Sequence, residues 1–249
     1  MIFDGSEKII GQGAQAKVFL YHNFAYKVYN SSYPAEWISF EKNQQKEINK
    51  AGLCPIKYYD TDDAHIIKMD LIKGDTLEAK INECIKQNSP EKESEIINYY
   101  KLLAEANKFI HSAKTEGLKI PRLYDTAAHD LSGQDKDKVL SIIEKLSGRM
   151  KECICHLDLH FLNIMLPHDG SGYRIIDWIN ARIAPAIFDY ARTFVIFGEF
   201  SKPAQEAYRQ LVLPDLWAAG VSEDDFLSAS QACTILRQQE KGTGNASKA

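Results

Sequence analysis

No stretch of this 249-residue chain stays apolar for the roughly 20 residues that a bilayer-crossing helix needs, so no transmembrane helix is expected. The opening Met1-Ile2-Phe3-Asp4-Gly5 lacks a basic patch followed by an apolar run, and no secretory signal is expected. Charge of one sign is nearly absent in excess: 34 acidic residues face 30 basic ones, a net of −4. That balance gives no broad pull toward nucleic acid or an anionic membrane, and it would not repel a cationic substrate. Five cysteines, an odd number at irregular spacing, argue against a disulfide framework and for a reducing cytoplasm. Cys153-Ile154-Cys155-His156, with His160 nearby, has neither the Cys-x-x-Cys spacing nor a second half-site of a zinc knuckle. The two cysteines read instead as small apolar residues on a buried strand. No internal repeat is visible.

What is present is an ordinary globular composition, 45% hydrophobic and 26% charged, long enough for two lobes sharing a cleft. Val18–Tyr21 and Phe24–Tyr29 are rich in β-formers, with His22-Asn23 as the hairpin turn. Residues 35–51 read as a helix that Gly52 can end, followed by strands at 56–59 and 64–72. Lys73-Gly74-Asp75 breaks the last strand and links the lobes. The division expected is an N-terminal nucleotide-binding lobe at 1–73, a catalytic and substrate lobe at 74–240, and a polar, Gly-rich frayed tail at 241–249. In the second lobe, 76–87 can be helical. Ser89-Pro90-Glu91 is a helix start, and Ile96, Tyr100, Leu103, Ala106 or Asn107, and Ile110 recur as a core stripe. Residues 114–138 read as a loop or excursion, with a helix opening at Val139. Short strands at 153–155 and 173–176 flank the most informative stretch, and helices are expected at 187–200, 204–213 and 224–238.

That stretch is His156-Leu157-Asp158-Leu159-His160-Phe161-Leu162-Asn163, then Ile175-Ile176-Asp177-Trp178. It places an Asp, an Asn and a second Asp where phosphoryl transfer needs them. Asp158 can accept the proton of an attacking hydroxyl, and Asn163 and Asp177 can give oxygen ligands to magnesium carrying a nucleotide triphosphate. One Asp at a loop start usually only caps or turns; the full spacing has several independent requirements. His156 reads as a structural residue behind the loop. His160 either packs the loop or meets substrate, and Asp189 either anchors the loop or is an ordinary first-turn acid. Upstream, Gly11-Gln12-Gly13 lies between two strands, where missing side chains let backbone N–H groups approach phosphate. With no helix directly following, a Rossmann site is disfavoured. Lys27 sits among strand apolars behind this turn and ahead of an acidic helix, which favours a phosphate contact over snorkelling. Glu41 is the candidate to hold it, with Glu36 and Glu47 as rivals.

Taken together these residues resemble the aminoglycoside phosphotransferase and choline kinase-like family, relatives of the protein kinases. His156, Asp158, His160 and Asn163 are similar to the family's catalytic loop, and Ile176-Asp177-Trp178 to its metal motif. Lys27, Glu41 and Gly52-Leu53-Cys54-Pro55 resemble its nucleotide lysine, helix glutamate and following turn. Met69 to Gly74 resembles the interlobe hinge, implying that backbone at Asp70 and Ile72 meets adenine. Leu157 and Ala16 stand where the family usually has Gly, and the stretch beyond Phe200, where it builds acceptor-binding helices, is short. The resemblance implies an α+β, two-lobed protein-kinase-like fold, with a small mainly β N-lobe and a larger mainly α C-lobe. It implies an ATP- (or GTP-) and Mg-dependent phosphotransferase acting on a hydroxyl of a small molecule, an aminoglycoside-like antibiotic or an amino alcohol or sugar. The short span from Asp177 to Asp189 favours such an acceptor over a peptide; the alternatives are a protein kinase and a nucleotide-binding pseudokinase that acts as an interaction module. Glu199, Glu206, Asp215, Glu223, Asp224 and Asp225 could make an acidic pocket for a polycation.

Overall fold

The structure, a computed structural model, describes residues 3–246, the last five of these through their backbone alone. A five-stranded antiparallel sheet of order β1-β2-β3-β5-β4 occupies the N-terminal region. Its strands are β1 (Lys8–Gln12), β2 (Ala16–Tyr21), β3 (Phe24–Tyr29), β4 (Tyr58–Tyr59) and β5 (Ile66–Asp70). His22 and Asn23 have φ of 45° and 63°, the left-handed pair a two-residue hairpin requires, and they set the Tyr21–Phe24 register. Helix α1 (Ala35–Lys50) follows, and Gly52, at φ +73°, turns the chain out of it. Ile38 of α1 packs in a small cluster with Ala16, Tyr29 and Ile67, whereas Ile48 belongs to the large core of the second lobe. One helix therefore contributes to both hydrophobic clusters.

Leu71–Lys73 leads into the second lobe. Gly74 does not merely break a strand: β6 (Gly74–Thr76) pairs with β8 (Ile164–Pro167), which pairs with β9 (Arg174–Ile175). A Cβ on Gly74 would overlap the Leu166 carbonyl and lie 2.9 Å from Pro167 Cα, so a residue lacking one lets the two backbones meet. Thr76 caps α2 (Leu77–Gln87) and Ser89 caps α3 (Pro90–His111), each side-chain oxygen accepting an N–H three residues on. The expected stripe is buried at Tyr100, Leu103, Ala106, Asn107 and Ile110.

Two sequence expectations are corrected here. Residues 114–138 hold α4 (Leu123–Asp130) and the start of α5 (Gly133–Ser147). The helical signal there is thin, Leu123, Ala127 and Leu131 among polar residues, but all three are buried against the core. The C-terminal segment holds α7 (Lys202–Leu211), α8 (Leu213–Ala218) and α9 (Glu223–Ala246). The last helix carries 241–246 as helix where fraying was expected; 247–249 lie outside the described residues. Between these parts, β7 (Glu152–Cys155) pairs with β10 (Arg182–Pro185), and α6 (Ile187–Phe200) packs against α7 and α9. The chain is thus a two-lobed α+β molecule, sheet-rich at its N-terminal end and helical beyond. Among the described residues no helix is long and apolar enough to cross a membrane.

Candidate active site

Strand β7 delivers the chain into the loop at 156–160, which a 3₁₀ turn (Phe161–Asn163) joins to β8. The loop is tied from behind by α6. Asp189, fully buried, accepts N–H bonds from His156 at 2.9 Å and Leu157 at 2.8 Å, and meets His111 Nε2 at 3.0 Å. One turn further on, Thr193 Oγ1 donates to the Leu159 carbonyl at 2.8 Å. Leu157 lies at φ +58°, a region that favours glycine, with its side chain buried in the core. His156 Nε2 donates to the Ile176 carbonyl at 3.0 Å, and its Nδ1 accepts the Asp158 N–H at 3.2 Å. Burial pushes its pKa down, so it stays neutral and braces the loop, packed on Trp178. Asp189 is therefore the loop anchor, not an ordinary first-turn acid.

Asp158 emerges on the far side. Its Oδ2 lies 3.3 Å from Asn163 Nδ2 and 3.7 Å from His160 Nε2; its Oδ1 is buried with no hydrogen-bond partner. Burial alone would raise the Asp158 pKa, but the hydrogen bond and charge of His160, with His156 and Arg192, hold it below the usual carboxylate value. His160 both packs and faces the site: Nδ1 caps the 3₁₀ turn by accepting the Leu162 N–H at 3.3 Å, while Nε2 looks at Asp158. Asn163 Nδ2 also donates to the Asp158 carbonyl at 2.8 Å. This fixes the amide so that its Oδ1 is the atom free to ligate a cation. The Ile176 N–H bonds to the Asn163 carbonyl at 3.0 Å, bringing Asp177 beside Asn163. Asp177 itself sits at φ +61° and keeps a 39% exposed side chain. An amide oxygen and an exposed carboxylate are a donor set that suits hard magnesium.

From the N-lobe, Lys27 Nζ reaches Glu41 Oε1 at 2.9 Å and Asp177 Oδ1 at 3.5 Å. Burial works against its charge, but Asp177 and then Glu41 raise its pKa well above the ordinary lysine value. Glu41 is 2% exposed and also takes the Tyr29 hydroxyl. The rivals do other work: Glu36 is exposed, and Glu47 pairs with Lys50 at 2.6 Å and accepts the Lys119 N–H at 3.0 Å. Gly11 ends the bulged part of β1, and the Gly13 N–H bonds the Ala16 carbonyl at 2.9 Å. A Cβ at either glycine would meet only ordinary contacts, 3.5 Å to Val18 and 3.7 Å to Ala16, so neither is demanded by local packing. Asp70 ends β5, its N–H bonded to the Lys57 carbonyl, and Ile72 lies in the link between lobes.

The acidic residues proposed for a polycation pocket are mostly taken by cations. Asp215 pairs with Lys108, Glu223 with Arg209 and Asp225 with Arg149; Glu199 pairs with Arg237 and Lys241. Three residues that the sequence reading passed over act around the loop. Thr193 could have been found from its one-turn spacing to Asp189. His111 closes a helix without a local signal, and Arg237 comes to within 4.0 Å of Asp158 from the far C-terminal helix. His111, Cys153 and Cys155 also bring ligand-type atoms within 4.8 Å of one another, but each is engaged, His111 with Asp189 and the thiols with the Ala184 carbonyl.

No curated protein matches the sequence. Among solved structures, a choline/ethanolamine kinase family protein from Mesorhizobium loti superposes with a TM-score of 0.61 at 14% identity, covering 98% of this chain and 81% of that one. Choline kinase LicA from Streptococcus pneumoniae, also solved in complex with AMP, gives 0.60 at 16% identity over 96% and 86% of the two chains. Aminoglycoside phosphotransferase APH(3'')-Id from Streptomyces rimosus gives 0.61 at 14% identity over 93% of each. At these identities the likeness speaks for the fold, which is kinase-like. The model of the phosphotransferase enzyme family matches residues 7–220. The chain belongs to that family of phosphotransferases.

Proposed function

We propose that the chain transfers the γ-phosphoryl group of ATP (or GTP), in the presence of magnesium, to a hydroxyl group of a small molecule. The observation that carries this is the convergence of Asp158, Asn163 and Asp177: Asn163 Nδ2 donates to the Asp158 carbonyl and lies 3.3 Å from its Oδ2, and Lys27, held by Glu41, reaches Asp177. Asp158 keeps 18% of its side chain exposed, which leaves the carboxylate open to an acceptor hydroxyl. Because its pKa lies below the ordinary value, Asp158 is ionised at neutral pH and ready to orient that hydroxyl and take its proton. Held between Asn163 and Asp177, magnesium would neutralise charge on the phosphates. Lys27, aimed by Glu41, would exchange its contact with Asp177 for phosphate oxygens. The turn at Gly11 and Gly13 would cover those oxygens, and the backbone of Asp70 and Ile72 would meet the base. The span from Asp177 to Asp189 is taken up by a 3₁₀ turn, β10 and the start of α6, which supports a small acceptor over a peptide.

Acceptor-dependent ADP release across a metabolite and antibiotic panel tests the reading. Asp158→Asn should lower turnover by about 10²–10⁴-fold while nucleotide binding persists. Normal turnover in that variant would remove Asp158 from the mechanism. Stabilisation by ATP and magnesium without turnover on any acceptor would point to an interaction module instead.

A further inference from the structure

The wall facing Asp158 is built by α6 and α9, and its charges are already balanced. Asp158, Glu199 and Glu240 are the carboxylates; Arg192, Arg237 and Lys241 are the cations. Arg237 Nε lies 3.3 Å from Glu199 Oε2, and its Nη1 lies 3.7 Å from Glu240 Oε2 and 4.0 Å from Asp158 Oδ1. Lys241 holds the same Glu199 oxygen at 2.9 Å, and buried Arg192 pairs with Glu240. An ammonium-bearing acceptor would find Glu199 and Glu240 paired with cations and a guanidinium standing next to Asp158. An anion meets the opposite situation. Among the described residues, Arg237 approaches three carboxylates, of which Glu199 is at hydrogen-bond range, although a guanidinium carries five N–H donors.

The 4.0 Å gap between Arg237 Nη1 and Asp158 Oδ1 is too long for a hydrogen bond and leaves Oδ1 out of contact with solvent. Asp158 and Arg237 nevertheless keep 18% and 20% of their side chains exposed. A hydroxyl reaching the exposed side of the Asp158 carboxylate lies beside the guanidinium, and an oxyanion on a nearby carbon would come within reach of its N–H donors.

We propose that Arg237 is a specificity-determining residue that selects acceptors carrying an oxyanion, a carboxylate or phosphate, close to the hydroxyl to be phosphorylated. This rests on the kinase reading above. On binding, the guanidinium exchanges its loose contacts with Glu240 and Asp158 for a bidentate contact with the acceptor's oxyanion. Arg237 acts on the acceptor and takes no part in proton transfer, so its removal acts on KM more than on kcat.

The test uses the full chain with ATP and magnesium. The probes are glycerate, 4-hydroxybutyrate and glycerol 3-phosphate, against the matched 4-hydroxybutyramide and glycerol, and against ethanolamine and choline. Binding of the same probes in the presence of ADP and magnesium is followed by calorimetry. Turnover favouring the anionic probes is expected. Arg237→Met should raise their KM by about 10–100-fold, the scale of a lost charge-assisted hydrogen bond, with kcat changed a few-fold at most. The KM of the uncharged acceptors should move only a few-fold, so that the acid-to-amide preference collapses, and Arg237→Lys should recover part of the loss. Because both variants are compared on acid and amide with one preparation, a general folding defect would move both and is told apart.

Turnover on ethanolamine or choline but not on the anions, or an acid-to-amide preference unchanged in Arg237→Met, would overturn the inference and leave the kinase reading standing. Absence of turnover on every probe and on the wider acceptor panel, with Arg237-dependent binding of the anions retained, would overturn the kinase reading and keep the anion site. Neither turnover on nor binding of the anions would overturn the inference.

Discussion

At the scale of single residues, Leu157 carries two opposed effects. Its φ of +58° costs roughly 1–2 kcal/mol for a side-chain-bearing residue, while its buried side chain returns about 1.5–3 kcal/mol. The N–H bond to Asp189 holds the strained turn in place. Leu157→Ala keeps the strain and loses the packing, so it should destabilise by about 2–5 kcal/mol in urea unfolding. Leu157→Gly loses the packing and the strain together and should cost less than Ala, the reverse of the usual order for these two residues. The sequence marked this position as a departure from the family pattern; only the fold supplies the buried site that makes leucine acceptable there.

His111 gives a second residue-level prediction. Burial works against its charge, but the hydrogen bond and charge of Asp189 outweigh it, and its pKa is raised above the ordinary value near 6.5. A raised folded-state pKa contributes stability fully below about pH 6.5, and that contribution is lost as pH rises through the folded value. The melting-temperature gap between the natural protein and His111→Gln should therefore be widest near pH 6 and shrink toward pH 9. A gap that widens over that range would mean the pair is not charged in the way its geometry implies. The hydrogen bond of a neutral ring to Asp189 persists throughout, so the gap narrows without closing.

At the scale of elements, the strongly patterned pieces were readable and the short ones were not. The hairpin at 22–23, α1 with its terminating glycine, the Ser89 cap and α6 all follow local rules that a few residues state completely. The strand at 74–76 was invisible because Gly and Asp disfavour β structure and Thr76 alone favours it; it exists because β8 runs beside it. Gly74→Ala should disturb that pairing, since the added Cβ meets backbone that cannot rotate away. A loss of about 1–3 kcal/mol is expected, with faster amide exchange in β6 and β8. Helix α4 was likewise hidden, three apolar residues among polar ones, until the core they enter is known.

At the scale of the whole molecule, α1 couples the lobes. It carries Glu41 toward Lys27, donates from Gln44 Nε2 to the Ala181 carbonyl at 2.7 Å, and accepts the Lys119 N–H at Glu47. Gln44→Ala removes one bond across the lobes, but Arg182 Nη1 still donates to the Ala181 carbonyl at 2.8 Å. The stability cost should therefore stay near the ordinary 0.5–1.5 kcal/mol of one hydrogen bond. The larger expected effect is a raised KM for nucleotide, because the helix that aims Lys27 loses a fixed point; unchanged nucleotide kinetics would show that α1 is held by packing alone. The same view explains the acidic residues near the C-terminus. By composition they looked like a cation pocket; in the folded chain most pair with Arg or Lys from other parts of the fold.

The layout of the loop was legible in the sequence alone. The spacing from His156 to Asn163 and on to Asp177 is local, and a short loop between two strands has few ways to place those side chains. The sequence also determined the Lys27–Glu41 pairing down to a choice of three glutamates. Tertiary structure decided which glutamate, because of the three only Glu41 meets Lys27 and Tyr29 of β3, and it decided what faces Asp158 from α9. Arg237 is 79 positions (237 − 158) from Asp158, and no periodicity or motif links residues across such a distance; only the packing of α9 on α6 brings them together.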